Sequence, residues 1–187
     1  MGGRVGERAG AAECAGSAFS NSAPIIVTAL FGSEDRAWFD TERRRHFPAG
    51  RNRLEAHLTL FRHLPPGIAS ELKQRLAAET RGCPAPKARV AGVISLGRGV
   101  AYRIESAGLD AIRAALVHAF AGMLMPQDSA DWRAHVTVQN KVSAAEARTL
   151  LAQLRADFRP RAVRIAGLAT WWYRDSAWRP ISRHMFA

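Results

Sequence analysis

Apolar residues recur along this chain in two spacings: every second residue in short runs, and every third or fourth residue in longer stretches. Alternation of apolar and polar residues is typical of strands, and the wider spacing is typical of helices that bury one face. The pattern predicts a strand–helix–strand–helix–strand unit that occurs twice, followed by one more strand. The predicted strands are 25–31, 57–61, 88–96, 100–104, 135–138, 163–173 and 178–186, and the predicted helices are 33–47, 68–80, 109–125 and 143–158.

Two serines are placed to begin predicted helices. Ser33 precedes Glu34 and Asp35, whose negative charge favours the first turn of a helix. Ser143 is followed three residues later by Glu146, which is the spacing of a capping box. We therefore expect both serines to be N-caps.

The repeated unit indicates an internal duplication. Its short second strands begin at His57 and His135. Duplicated halves give two similar substructures, and the crevice between such halves is a natural place for a ligand. We expect a single domain over 23–187, with repeat halves of about 24–97 and 98–187.

Residues 1–22 differ in composition from the rest of the chain, because Gly, Ala and Ser dominate and large apolar groups are few. Such a segment cannot bury enough apolar surface to offset the entropy that ordering costs. We expect it to be disordered, or to lie upstream of the true start of the protein.

The two halves share a four-residue motif on their second strands. It reads HLTL at 57–60 and HVTV at 135–138. Alternate side chains of a strand share a face, so the histidine and threonine of each copy point one way and the two apolar residues point the other way. One such histidine alone is better interpreted as a hydrogen-bonded structural residue. The recurrence on equivalent strands of a repeat favours a chemical role for the pair.

Two imidazoles and two hydroxyls suit reactions of a phosphodiester. Imidazole titrates near neutral pH, so one histidine can accept a proton while the other donates one to a leaving oxygen. The hydroxyls of Thr59 and Thr137 can donate to the non-bridging phosphate oxygens as charge builds on them. The chemistry needs no metal, and Asp131 near the second motif is better interpreted as a loop or cap residue.

Charge adds a preference for anionic partners. The chain has 27 basic and 16 acidic residues, for a formal net charge of +11, and all but three of the basic residues are arginine. Such a field favours nucleic acid or phosphorylated small molecules, although the arginine content also fits a GC-rich genome. The run of Arg43, Arg44 and Arg45 is interpreted as a solvated charged helix end.

Other sequence features set the class of protein. Cys14 and Cys83 lack the CxxC spacing of zinc sites, and no disulfide is expected between them. No apolar run reaches the roughly 18 residues of a membrane span, and the N-terminus lacks the apolar core of a signal peptide. We expect a cytoplasmic monomer without membrane association, metal or cofactor.

The stretches HLTLFRHLPP, which begins at His57, and HVTVQNKV, which begins at His135, resemble the paired motifs of the 2H phosphoesterase superfamily. They are most similar to its bacterial 2′-5′ RNA ligase branch, which includes RNA 2′,3′-cyclic phosphodiesterases. The resemblance covers about residues 24–187. It implies an α+β fold of two pseudo-symmetric lobes around a central cleft, each lobe a mainly antiparallel sheet with two outer helices.

The same resemblance implies an activity, the hydrolysis of RNA 2′,3′-cyclic phosphate ends to 2′-phosphates, with reversible 2′-5′ ligation in some members. By motif position, it makes His57 the acid that protonates the leaving 3′-oxygen and His135 the base that activates water. Thr59 and Thr137 take the phosphate-binding places. The pseudo-symmetry leaves the exchanged assignment of the two histidines open. The implied partners are RNA ends or nucleotide cyclic phosphates.

Four more side chains are candidates for substrate binding. Phe61 can stack on a base or pack in the core, and Arg62 and Lys141 follow the two motifs on loops where they can meet an anionic end. Tyr173 lies in an aromatic cluster near the C-terminus, one face of which can line the cleft. The first motif continues as RHLPP at 62–66, where the commonest ligase-like form has a Leu-Gly pair after the phenylalanine, so the loop beside the substrate is expected to differ.

Two other functions stay open at this point. The same fold can act on a small nucleotide cyclic phosphate instead of RNA. Alternatively, the chain is a non-catalytic RNA-binding module that uses its basic surface alone. The two intact motifs disfavour the second alternative, because binding alone does not require paired imidazoles.

Overall fold

A computed structural model describes residues 23–52, 54–174 and 177–187. The predicted tail at 1–22, and Cys14 with it, lies outside the described residues. The described strands are β1 (Ile25–Phe31), β2 (Leu58–Leu64), β3 (Lys87–Ser95), β4 (Gly99–Glu105), β5 (His135–Asn140), β6 (Arg161–Arg174) and β7 (Ala177–Met185). The described α-helices are α1 (Ser33–His46), α2 (Ala69–Thr80), α3 (Ala107–Ala119), α4 (Pro126–Ser129) and α5 (Ala144–Ala156).

The order of these elements confirms the predicted repeat. The first unit is β1-α1-β2-α2-β3, the second is β4-α3-β5-α5-β6 with the short α4 inserted between α3 and β5, and β7 follows. The capping box of α5 is present, since Ser143 Oγ accepts from the Glu146 amide and the Glu146 carboxylate accepts from the Ser143 amide.

Most helix ends lie within about two residues of the prediction, but one N-cap and one helix C-terminus are wrong. Ser33 is the first helical residue rather than the N-cap, because the amide of Gly32 still donates to Arg164 of β6 and Gly32 takes the cap position. Helix α3 ends at Ala119 instead of 125, because Gly122 adopts a φ of 81° and Pro126 begins the separate turn α4.

The strands form one antiparallel sheet in the order β1-β2-β5-β4-β3-β6-β7, and a further pairing of β1 with β6 closes it into a ring. The third strand of each repeat unit crosses to the other half: β3 pairs with β4, and β6 pairs with β1. This antiparallel sheet with its helices confirms the predicted α+β class.

The two motif strands are neighbours in this ring. Strands β2 and β5 meet through one antiparallel pair, Leu58 with Val136. This register sets His57 beside Thr137, and Thr59 beside His135. The fold therefore brings two positions that are far apart in sequence onto adjacent strands.

Burial determines which face of each motif strand meets the cleft. The apolar motif residues are inaccessible or nearly so, and they belong to the buried cluster that the helices cover: Leu58, Leu60, Val136 and Val138. Because side chains alternate, this burial turns the histidines and threonines to the opposite face. A slip of one residue would exchange the two sets.

Among the described helices, none combines the length and the apolar character that crossing a membrane would require.

Candidate active site

The four motif side chains line one cleft. His57 and Thr59 reach it from one half, His135 and Thr137 from the other, and the cleft has a volume of about 1010 Å³. That volume lies at the upper end of ordinary small-ligand sites, so the cleft has room for a nucleotide. The sequence pattern thus identified a set of residues that the fold does bring together.

The two imidazoles are held in the same way. His57 Nδ1 lies 2.8 Å from the carbonyl oxygen of Glu55, and His135 Nδ1 lies 2.7 Å from the carbonyl oxygen of Arg133. A carbonyl oxygen only accepts, so each ring must donate from Nδ1. When the ring is neutral, its lone pair is therefore at Nε2. Both histidines present the nitrogen that can accept or donate a proton in catalysis.

Burial and nearby positive charge disfavour the charged forms of both imidazoles. Burial lowers the pKa of His57 from 6.5 to about 4, and the charges of Arg43, His135 and Arg62 act in the same direction. Burial also lowers the pKa of His135, with Arg62 and Arg133 contributing. In the absence of an anion, both rings are therefore neutral at neutral pH.

Cations dominate the cleft wall. Its charged side chains are Arg43, Arg51, Arg62 and Lys141, and the described residues that line it include no carboxylate. Arg51 Nη1 donates to the carbonyl oxygen of Lys141, which ties the loop after α1 to the end of β5. The cleft therefore favours an anionic occupant.

The prediction that the arginine run is a solvated helix end is wrong for Arg43. Its side chain is buried, with 4% of the residue exposed. Nη1 donates to the Thr137 carbonyl oxygen at 2.7 Å and Nη2 donates to Asn52 Oδ1 at 2.9 Å, while the guanidinium lies over the ring of Phe47. One signal was available: Arg43 follows the buried Phe39 by four residues, on the same helix face.

We expect Arg43→Met to destabilise the protein by about 2 kcal/mol, because the Thr137 carbonyl and Asn52 lose a charged donor. The pKa of His57 should rise, because a nearby positive charge is removed. Urea unfolding and an NMR titration of the His57 ring measure the two effects. Arg44→Met is the matched control, since Arg44 is exposed and, among the described residues, its side chain hydrogen-bonds within its own helix, to Thr41. Equal stabilities and equal His57 pKa values in the two variants would contradict the role assigned to Arg43.

Other contacts hold the motif strands in place. Trp132 Nε1 donates a hydrogen bond to the Thr59 carbonyl oxygen. The corresponding carbonyl of the second motif, that of Thr137, accepts its hydrogen bond from Arg43. The buried carboxylate of Asp128 accepts from the backbone amides of Arg62 and His63, in the part of β2 that follows the first motif. Asp128 was not among the predicted residues, because its hydrogen-bond partners lie more than 60 residues away in the sequence.

The other predicted binding residues have different fates. Arg62, Lys141 and Tyr173 all line the cleft, and Tyr173 is 44% exposed. Phe61 does not, because it is fully buried. A register shift between β1 and β2 makes Leu60 an extra residue, which turns Phe61 toward the core instead of the cleft. The base-stacking alternative for Phe61 is therefore wrong.

Trp178 is the aromatic residue that lies beside the His57 imidazole. Its ring lies 4.5 Å from the His57 ring, centroid to centroid, and it also lines the cleft. Trp178 begins the last predicted strand but was not among the predicted binding residues, because β7 meets the first motif only in the folded structure.

Across the described parts of the chain, no group of three or more His, Cys, Asp or Glu side chains is placed to hold a metal ion.

Comparison with known families decides the family. The sequence model of the 2′-5′ RNA ligase superfamily matches residues 31–177, a range that contains both motifs. The chain belongs to this superfamily. No significant match exists among curated proteins.

Solved structures share the fold of this 2′-5′ RNA ligase superfamily member. A Thermus thermophilus protein, TT0787, is 14% identical, with a TM-score of 0.60 over 87% of this chain and 97% of its own. LigT of E. coli, solved in complex with NADP⁺, is 16% identical, with a TM-score of 0.58 over 88% and 98%. A third structure, described as a phosphoesterase, has a TM-score of 0.55 at 16% identity over 89% and 99%.

Proposed function

We propose that this protein hydrolyses RNA 2′,3′-cyclic phosphate ends to 2′-phosphates without a metal, and that it can join such an end to a 5′-hydroxyl through a 2′-5′ bond. One observation carries the proposal: two imidazoles, each presenting Nε2, and two threonines line a single cationic cleft. Membership of the superfamily supports a phosphoester as the substrate.

The proposed reaction is an in-line displacement at phosphorus. Nε2 of one imidazole takes a proton from water as the water oxygen bonds to phosphorus. The bond from phosphorus to the 3′-oxygen breaks, and that oxygen receives a proton from Nε2 of the other, protonated imidazole. The 2′-oxygen keeps the phosphate. If a 5′-hydroxyl replaces water, the same steps form a 2′-5′ linkage.

The threonines and the cations act on the charge of the phosphate. Thr59 and Thr137 donate hydrogen bonds to the non-bridging oxygens, whose charge increases in the transition state. Arg62 and Lys141 provide the field that attracts the anionic end. Arg43 acts indirectly, by holding the backbone of Thr137 and by its charge near His57.

We assign protonation of the 3′-oxygen to His57 and activation of water to His135, as the family resemblance implies. The low pKa of His57 means that a bound anionic phosphate must raise it before His57 can act as the acid. If the two roles are exchanged, the bound phosphate must instead raise the pKa of His135, which is also lowered.

The test is the reaction of an oligoribonucleotide that ends in a 2′,3′-cyclic phosphate, followed by ³¹P NMR. We expect a single product with a 2′-phosphate end. A 3′-phosphate product would contradict the assigned leaving group, and binding without turnover would favour the alternative of a non-catalytic RNA-binding module.

The pH dependence of the same reaction tests the state of the histidines. Catalysis requires that one of the two imidazoles, His57 or His135, is protonated and the other is neutral. This singly protonated form is most populated at a pH between the two lowered pKa values. We therefore expect kcat/KM to be highest below pH 6.5 and to fall as pH rises toward 8, since the proton is lost at a pKa below the ordinary 6.5. A rate that increases from pH 6.5 to 8 would contradict the lowered values.

A further inference from the structure

A second compartment adjoins the cleft. It has a volume of about 590 Å³ and shares Leu54, His57 and Trp178 with the cleft, so the two cavities meet at the first catalytic histidine. The rest of its wall comes from β1, the start of α1, the segment just before β2, β6 and β7. The volume suits one nucleotide, since small-ligand sites span about 300–1,000 Å³.

Indole rings lead from the catalytic histidine into this compartment. Trp178 lies 4.5 Å from the His57 ring, and Trp171 lies 6.0 Å from Trp178, measured between centroids. The Trp171 ring is held in one orientation, because its Nε1 donates to Thr28 Oγ1 at 2.9 Å. Fixed aromatic surfaces of this kind stack on nucleobases without regard to sequence.

The charge of the compartment suits a phosphodiester. Its described wall carries three guanidinium groups, from Arg36, Arg164 and Arg183, against the single carboxylate of Glu55. Glu55 pairs with Arg36 at 3.5 Å, where both side chains are mostly exposed. The Arg183 guanidinium carbon lies over the Trp171 ring, 6.0 Å from its centroid, so a cation is present at the aromatic surface. The indole of Trp171 can stack on a nucleobase, and the net positive charge of the wall suits the phosphate attached to that nucleoside.

We infer that this second compartment binds the penultimate nucleotide of an RNA strand whose terminal cyclic phosphate lies between His57 and His135. The base stacks on Trp171, and Arg183 meets the phosphodiester that links the last two nucleosides. The inference rests on the proposed function and narrows it: the substrate is an oligoribonucleotide, and a mononucleotide fills only the cleft.

Kinetics on two substrates test the inference. We compare a dinucleotide that ends in a 2′,3′-cyclic phosphate with the corresponding mononucleotide 2′,3′-cyclic phosphate. The ratio of their kcat/KM values should favour the dinucleotide in the wild type, and it should fall about tenfold in Trp171→Leu and in Arg183→Gln, because one base stack or one phosphate contact is lost. Arg179→Gln is the control, since Arg179 lies on the same strand as Arg183 and lines neither cavity.

Equal losses on both substrates would overturn the inference, because the compartment would then serve the terminal nucleotide or the fold itself. An unchanged ratio in both variants would overturn it as well.

Binding of the products separates this inference from the proposed function. Calorimetric titration with a dinucleotide 2′-phosphate and a mononucleotide 2′-phosphate needs no turnover. A dinucleotide preference that Trp171→Leu removes would support the compartment even if no hydrolysis were found. Equal Kd values for the two ligands would overturn the compartment even if hydrolysis were found.

Discussion

Replacement of either His57 or His135 by alanine is expected to lower kcat for hydrolysis of a 2′,3′-cyclic phosphate end by about 10²–10⁴-fold. Each variant loses the proton acceptor or the proton donor that the displacement requires. Nδ1 of each ring bonds a carbonyl only two residues away, so neither substitution removes a long-range hydrogen bond, although His57→Ala does remove the ring contact with Trp178. Steady-state rates on a cyclic-phosphate oligoribonucleotide measure the loss.

A third histidine provides the control. His118 is exposed on α3 and lies outside the cleft, so His118→Ala should keep the wild-type rate. Circular dichroism and urea unfolding should show that all three variants fold. If both His57→Ala and His135→Ala retain close to the wild-type rate, the two-histidine account fails.

The second large effect is expected at the motif threonines. Thr59→Val and Thr137→Val keep the volume of the side chain but remove the donor to the non-bridging oxygens, so each should lower kcat by about 10²–10³-fold. KM should change less, because the hydrogen bond strengthens as charge builds in the transition state. The backbone contacts of both threonines, from Trp132 and Arg43, use carbonyl oxygens and survive the substitution.

Serine substitutions at the two motif positions, and a valine substitution at a threonine outside the cleft, are the controls for this test. Thr59→Ser and Thr137→Ser keep the hydroxyl and should retain most of the rate. Thr149→Val, on the exposed face of α5, should have no effect on kcat. A rise in KM at unchanged kcat in the valine variants would show that the hydroxyls serve ground-state binding only.

The repeat and the motif faces were predictable because they depend on local periodicity. Strands β2 and β5 carry apolar residues at alternate positions, and burial of Leu58 and Val136 directs the histidines to the other side. The capping box at Ser143 and Glu146 is likewise a short-range signal that the structure confirms.

Long-range pairing accounts for what the sequence did not reveal. The exchange of β3 and β6 between halves depends on partners in the other half, and no spacing within either strand indicates it. Stacking and core packing were both open for Phe61, and the bulge at Leu60, which interrupts the alternation, places it in the core. Arg43 was hidden in a run of three like residues, where charge suggested solvent although helical spacing from Phe39 placed it inside.

The most direct test of the central claim is the rate of cyclic phosphate hydrolysis in excess EDTA, for the wild type beside His57→Ala and His135→Ala. The account predicts that the wild type keeps its full rate after chelation, while each alanine variant stays about 10²–10⁴-fold slower. Loss of wild-type activity in EDTA that added divalent metal restores, or alanine variants close to the wild-type rate, would contradict a reaction driven by the two imidazoles alone.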